Sequence, residues 1–323
     1  MAEKAIKKDI QTTKKKLILI DLDGTTLDKD FRTFNKLNHK VLTHLHKLGH
    51  KVCIATGRNY LSALRYYEEL KLDTLMATYN GAYINNPSKE KSGEKSETLK
   101  TNHISNKVIK DVMKEKVIKD NLIDALVDSN DREIICTEDK DIYWHEVWFN
   151  KNKFIHTKDI LKSLGKKDAL QLILEFENKE KKLNEIIATL RRKYHASIYF
   201  DVVNKLKKDP KNPESPTLVP DLERIVIRIR SKLADKYEAV KEIAGKKGYH
   251  IPMENIIAFG DSENDIDMIR NVGWGVVVAN AETYLKTLAK DITEKKNYEG
   301  GVGDYLIKYF NLSLNVGTEK KKK

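Results

Sequence analysis

Residues 17–27, LILIDLDGTTL, decide the fold. Four apolar residues run without a break and then meet Asp21, Asp23 and Gly24. An apolar run too short for a helix, with no alternation, marks a strand buried on both faces, as in a parallel sheet. The acids and the glycine mark a tight loop beyond its carboxyl end. The same pattern recurs downstream. KVCIATGR, 51–58, ends in Thr56, Gly57 and Arg58, and TLMATYNGAYI, 74–84, turns at Asn80 and Gly81. NIIAFGDSENDIDMI, 255–269, ends its apolar run at Gly260 and Asp261, and GVVVAN, 275–280, is a further strand. Helical spacing fills 35–48, 60–70, 236–246 and 284–289. Strands and helices alternating at these lengths predict an α/β fold with a Rossmann-like, mostly parallel sheet.

The pattern is interrupted. Residues 86–100 are polar and read as a loop and a boundary. From 101 to 220 the chain reads as mixed, with helices over 104–119 and 183–193 and strands over 123–127, 133–136, 170–176 and 197–203. Residues 205–220 hold four of the six prolines and read as a loop. ERIVIRIR, 223–230, alternates like a strand with one wet face. The expected organisation is a discontinuous core, 17–84 and 229–312, interrupted by an α+β cap domain, 85–228, with basic tails at 1–16 and 313–323.

The chain has 323 residues, a net charge of +12, and 50 lysines against 10 arginines. The ends, 1–16 and 311–323, carry +7 of that charge, the segment 86–220 carries +4, and the rest +1. Lysine-rich solvated tails account for the basic character, and arginine, the better fork for phosphates, is scarce. Nucleic acid is therefore not the expected partner, although a polyanion-binding protein is a reading of another class. Two cysteines in no metal-ligand spacing fit a reducing, cytoplasmic setting. No apolar run approaches ~20 residues, so no membrane helix is expected. A monomer is the default.

In an open parallel sheet, ligands sit beyond the carboxyl ends of the strands. Asp21, Asp23, Asp261 and Asp265 would converge on that rim. Each alone could simply cap a helix. Together they would repel one another unless a hard divalent cation sat among them, and Mg²⁺ suits such an oxygen-rich site.

The motifs, in order, resemble the haloacid dehalogenase superfamily of phosphatases, in its Cof-like branch with a large inserted α/β cap. Asp21-Leu22-Asp23-Gly24-Thr25-Thr26 matches the DxDGT motif, and Thr56-Gly57-Arg58 the second motif. Asn80-Gly81-Ala82 is typical of the branch, and Lys236 opens KYEAVKEIA, which is similar to the third motif. Gly260 to Asp265 matches GDxxND, and Asn280-Ala281 and EGGVGDYL from Glu299 fit the tail of the pattern. Two positions depart. Tyr237 follows the lysine where the family has glycine, which leaves Lys232 as an alternative, and Thr26 stands where an apolar residue is common.

The resemblance implies a role for each residue. Asp21 would be the nucleophile, forming an aspartyl-phosphate, and Asp23 the general acid and then the base. Asp21, the Asp23 backbone carbonyl and Asp261 would hold Mg²⁺. Thr56 would donate its hydroxyl to the phosphoryl group, or else only bond backbone at its strand end. Lys236 would meet charge in the transition state. Gly57, Arg58, Asn80 and Gly81 would line the substrate side, with Arg58 contacting substrate or bracing the loop. Asn264 and Asp265 would support the metal site from behind. Asn80-Gly81 and residues 231–235 would be hinges of the cap. Tyr143, Trp144, His145, Trp148 and Phe149 form its most aromatic stretch; Trp144 and Trp148 lie at helical spacing, which suits either core packing or stacking on substrate. The implied activity is a Mg²⁺-dependent phosphatase of small phosphorylated metabolites, sugar phosphates foremost. A phosphomutase on the same scaffold is the alternative. A dehalogenase needs neither Asp23 nor Asp261.

Overall fold

A computed structural model of the chain describes residues 14–91, 97–129, 133–137, 153–211 and 218–313. The aromatic stretch Tyr143 to Phe149 and most of both basic tails lie outside the described residues. The chain begins with β1 (Leu17–Ile20), α1 (Lys36–Lys47), β2 (Lys51–Ile54) and α2 (Tyr60–Glu69), then β3 (Met76–Thr78), β4 (Tyr83–Asn86) and β5 (Glu97–Thr101). Next come α3 (Asn106–Lys114), β6 (Leu122–Asp128), β7 (Glu133–Cys136), β8 (Lys153–His156), β9 (Gln171–Glu177), α4 (Glu180–Tyr194), β10 (Ile198–Lys208) and β11 (Leu218–Ser231). It closes with α5 (Lys236–Ala244), β12 (Ile256–Gly260), α6 (Ile266–Asn271), β13 (Trp274–Val277), β14 (Asp291–Ile292) and α7 (Gly301–Tyr309).

Five strands form a fully parallel sheet in the order β14-β13-β12-β1-β2. β1 lies inside it, with Ile18 opposite Ile257 on one side and Val52 on the other. All four β1 side chains are wholly buried, which is what an unbroken apolar run requires when helices cover both faces. Those helices start at side-chain caps. Asn35 accepts the Leu37 and Asn38 N–H groups at the head of α1, and Asn59 accepts the Ser62 N–H at the head of α2.

A second sheet has six strands in the order β10-β11-β9-β6-β7-β8, antiparallel except for the β7–β8 pair. The alternation in 223–230 is realised here. Ile225, Ile227 and Ile229 join Leu172, Leu174 and Phe176 in an apolar cluster under α3 and α4. Arg228 between them, and Arg224 and Arg230 beside them, face the other way. The fold is thus the expected parallel α/β core with additional antiparallel sheets. Among the described residues no helix is long and apolar enough to cross a membrane.

Two expected loops are partly regular. In 86–100 a short helix, Pro87–Lys91, precedes β5, which pairs with β4 in a three-stranded sheet. Its side chains are mostly exposed or half-buried, so composition hid it, yet Leu99 packs on the same apolar cluster as Ile84 and β1. In 205–220, β10 and β11 continue as a ladder to the Lys208–Leu218 pair, past an irregularity at Asn204/Lys205. Pro220 is tolerated because β9 pairs with β11 only from Arg224 onward, so no second neighbour needs its missing N–H.

Candidate active site

The carboxyl ends of β1 and β12 are adjacent, and the Asp21 N–H donates to the Phe259 carbonyl at 3.1 Å. Parallel pairing therefore brings Asp21 and Asp261 to one rim. Gly24 makes this possible. Its φ is +73°, and a Cβ there would lie 2.2 Å from Asp261 Oδ2. The Thr26 hydroxyl donates to the Asp21 carbonyl at 2.7 Å and braces the turn. Thr25 Oγ1 donates to Asp261 Oδ1 at 2.8 Å.

Lys236 arrives from a third direction, as the first residue of α5, where Asp235 accepts the Tyr237 and Glu238 N–H groups. Its Nζ lies 2.7 Å from Asp21 Oδ1 and 2.7 Å from Asp265 Oδ1. Lys232 instead sits 5.6 Å from the Tyr199 ring. The second oxygen of Asp265 accepts the Asp261 and Ser262 N–H groups at 3.1 and 3.3 Å. Asp265 is thereby fully engaged in holding the loop and the lysine.

Burial pushes the Asp21 carboxyl up to about 7, against the pull of Lys236. Burial, with Asp21 and Asp265 beside it, also raises Asp261 well above the carboxylate range. For Lys236 burial acts downward, but the two carboxylates outweigh it and hold the ammonium above its ordinary value. Asp21, Asp261 and Asp265 offer oxygens within 4.8 Å of one another. One ammonium cannot balance three carboxylates. The donor set is all oxygen, so it fits a hard divalent cation, with Asp21 and Asp261 the residues placed to hold it.

The other expected residues fall into two groups. Asp23 lines the cavity and is held in a fork by Arg58, with Nε at 2.7 Å and Nη2 at 2.5 Å. Gly57 and Asn264 line the same cavity. The remainder do not line it. Arg58 is buried and braces the loop, bonding Asp23, Ser62, Tyr66 and the Phe31 carbonyl. Thr56 is wholly buried, and its Oγ1 accepts the Arg58 N–H at 3.2 Å. Asn80 stands behind Gly57 and accepts from Asn264 Nδ2 at 2.8 Å. Gly81 faces α5: a Cβ there would lie 2.4 Å from the Asp235 carbonyl, so the close approach of that helix needs glycine.

The cavity, about 490 Å³, is also lined by Lys29, Phe31, Arg228, Asn280, Asn297 and Tyr298, none of them singled out as a site residue from sequence. Arg228 on the wet face of its strand, and the asparagines near the tail motif, were the available signals.

Residues 18–306 match the model of the haloacid dehalogenase-like hydrolase family. The 5-amino-6-(5-phospho-D-ribitylamino)uracil phosphatase YitU of Bacillus subtilis is 30% identical, over 93% of this chain and 99% of its own. A second B. subtilis protein of the same named activity, YcsE, is 25% identical over 89% and 92%. A crystal structure of a haloacid dehalogenase-like hydrolase from Bacteroides thetaiotaomicron aligns with a TM-score of 0.71 at 22% identity, covering 92% of this chain and all of that one. A carboxylate rim on a parallel sheet, reached by one buried lysine and matched along nearly the whole chain, places this protein among the haloacid dehalogenase-like hydrolases, as a phosphatase of phosphoric monoesters.

Proposed function

We propose that the chain hydrolyses small phosphorylated metabolites, sugar phosphates and related esters, with Mg²⁺, through an aspartyl-phosphate on Asp21. One observation carries the reading: the Asp21 carboxylate lines the cavity and is held at 2.7 Å by a lysine with no exposure of its own. A carboxylate fixed in that way is placed to attack phosphorus. Asp21, Asp261 and the Asp23 carbonyl would hold Mg²⁺, which supplies charge neutralisation for the phosphoryl oxygens. Lys236 stabilises the charge that builds on the transferring group. Asp23 gives a proton to the leaving oxygen and later takes one from water. The fork from Arg58 sets the place of Asp23 in the cavity wall. The six-stranded sheet acts as the cap, contributing Arg228 to the cavity wall. The named activity of YitU and YcsE supports a small phosphorylated metabolite as substrate.

The test is phosphate release from p-nitrophenyl phosphate and a metabolite panel, with Mg²⁺ and with chelator. Activity that requires Mg²⁺ and favours sugar phosphates is expected. Equal release under chelation, or none from any ester, contradicts the reading.

A further inference from the structure

We propose that Arg228 selects the leaving group, and that the substrates it selects carry hydroxyl, carbonyl or carboxylate oxygens beyond the phosphate. The inference rests on the phosphatase reading above and deepens it. Arg228 belongs to β11 of the six-stranded sheet, yet it lines the same cavity as Asp21, Asp23 and Asp261. Its position is fixed across the ladder, where it stands opposite Asp201. Arg228 Nε donates to Asp201 Oδ2 at 2.6 Å, and the other Asp201 oxygen accepts from Arg230 Nη1 at 2.9 Å.

The back of this triad is fastened in turn. Arg230 lies 4.2 Å over the Tyr199 ring and donates to the Ala234 carbonyl at 3.4 Å. The Tyr199 hydroxyl donates to Glu263 Oε1 at 3.4 Å, beside the Asp261 loop. Two arginines thus share one aspartate on the sheet that faces a rim of carboxylates. The rim takes the phosphoryl end. At the other wall stands a planar guanidinium whose orientation is set in advance.

A guanidinium held in this way favours oxygen acceptors and gains little from hydrocarbon. An apolar leaving group would desolvate Arg228 and return no hydrogen bond, whereas a hydroxylated one of the same length would. The cavity volume, about 490 Å³, leaves room for such a group beside the phosphate.

The experiment compares kcat/KM of the Mg²⁺-loaded full chain for a pentitol phosphate and for pentyl phosphate, esters of equal chain length with and without hydroxyls. Wild type should prefer the pentitol ester. Arg228→Ala should cut that preference about tenfold, and Arg228→Lys, which keeps the charge but loses the fork, should cut it partly. Melting temperatures of both variants show whether each is folded, and the lysine variant decides if the alanine variant is not. No preference in wild type, or an undiminished preference in a folded variant, overturns the inference; a purely structural Arg228–Asp201 pair would give that second result. Failure of wild type to hydrolyse any phosphomonoester is a separate outcome, which removes the phosphatase reading and this inference with it.

Discussion

Lys236 holds together two buried carboxylates, and removing it is the most costly single change at the rim. Lys236→Met leaves Asp21 and Asp265 without their ammonium. The expected loss is ~3–5 kcal/mol in urea unfolding, because uncompensated buried charge is left behind. Activity should fall with it. Asp21 makes the site sensitive to pH in a defined direction. Its folded value, about 7, lies above its ordinary one, so its contribution to stability is present at low pH and is lost as pH rises through about 7. A divalent cation bound to the ionised carboxyls reverses that loss. Mg²⁺ should therefore raise the melting temperature more above pH 7 than below it, and an equal rise on both sides would contradict the assignment. At this scale the sequence was legible in kind: acids, lysine and glycine at the right intervals name the chemistry. The direction of each side chain was not legible. Arg58, Asn80 and Gly81 sit where expected on the chain, but they pack against Tyr66, Asn264 and α5 and do not line the cavity.

At the scale of elements, the turns matter as much as the strands. Gly24→Ala would drive a methyl into Asp261 at a φ that L residues avoid. It should cost ~1–3 kcal/mol in thermal unfolding and abolish the Mg²⁺-dependent rise in melting temperature. The parallel strands were readable because a strand buried on both faces must be apolar throughout, and 17–20, 52–54 and 256–260 are. β5 and β14 were not, since strands with exposed side chains carry no such signature. The helix expected over 104–119 breaks at Glu115, whose ψ of 125° ends one helix and begins another, Lys116–Lys119.

For the whole molecule, the larger apolar cluster runs from Leu17 to Leu306 and a second one from Ile104 to Ile229. Polar bonds tie the six-stranded sheet and the segment that leaves it to the ends of β3 and β5 in the three-stranded sheet. The Tyr79 hydroxyl donates to Asp128 Oδ2 at 2.5 Å, both residues buried, and Asn102 Nδ2 donates to the Leu233 carbonyl at 3.1 Å. Tyr79→Phe removes the first bond and should lower stability by ~1–3 kcal/mol, read as a drop in melting temperature. Where the strand–helix alternation stops, the chain leaves the parallel sheet for the six-stranded one, and it returns where the alternation resumes. Which residues of the six-stranded sheet would reach the cavity was not legible, because that depends on how two sheets face each other. The central claim is that Asp21 carries the phosphoryl group in mid-reaction. Acid quenching during turnover, followed by peptide mass mapping, tests it most directly. The account predicts one phosphoryl group on the peptide containing Asp21 in wild type and none in Asp21→Asn, which should be inactive. A phosphoryl group on another residue, or full turnover by Asp21→Asn, would contradict it.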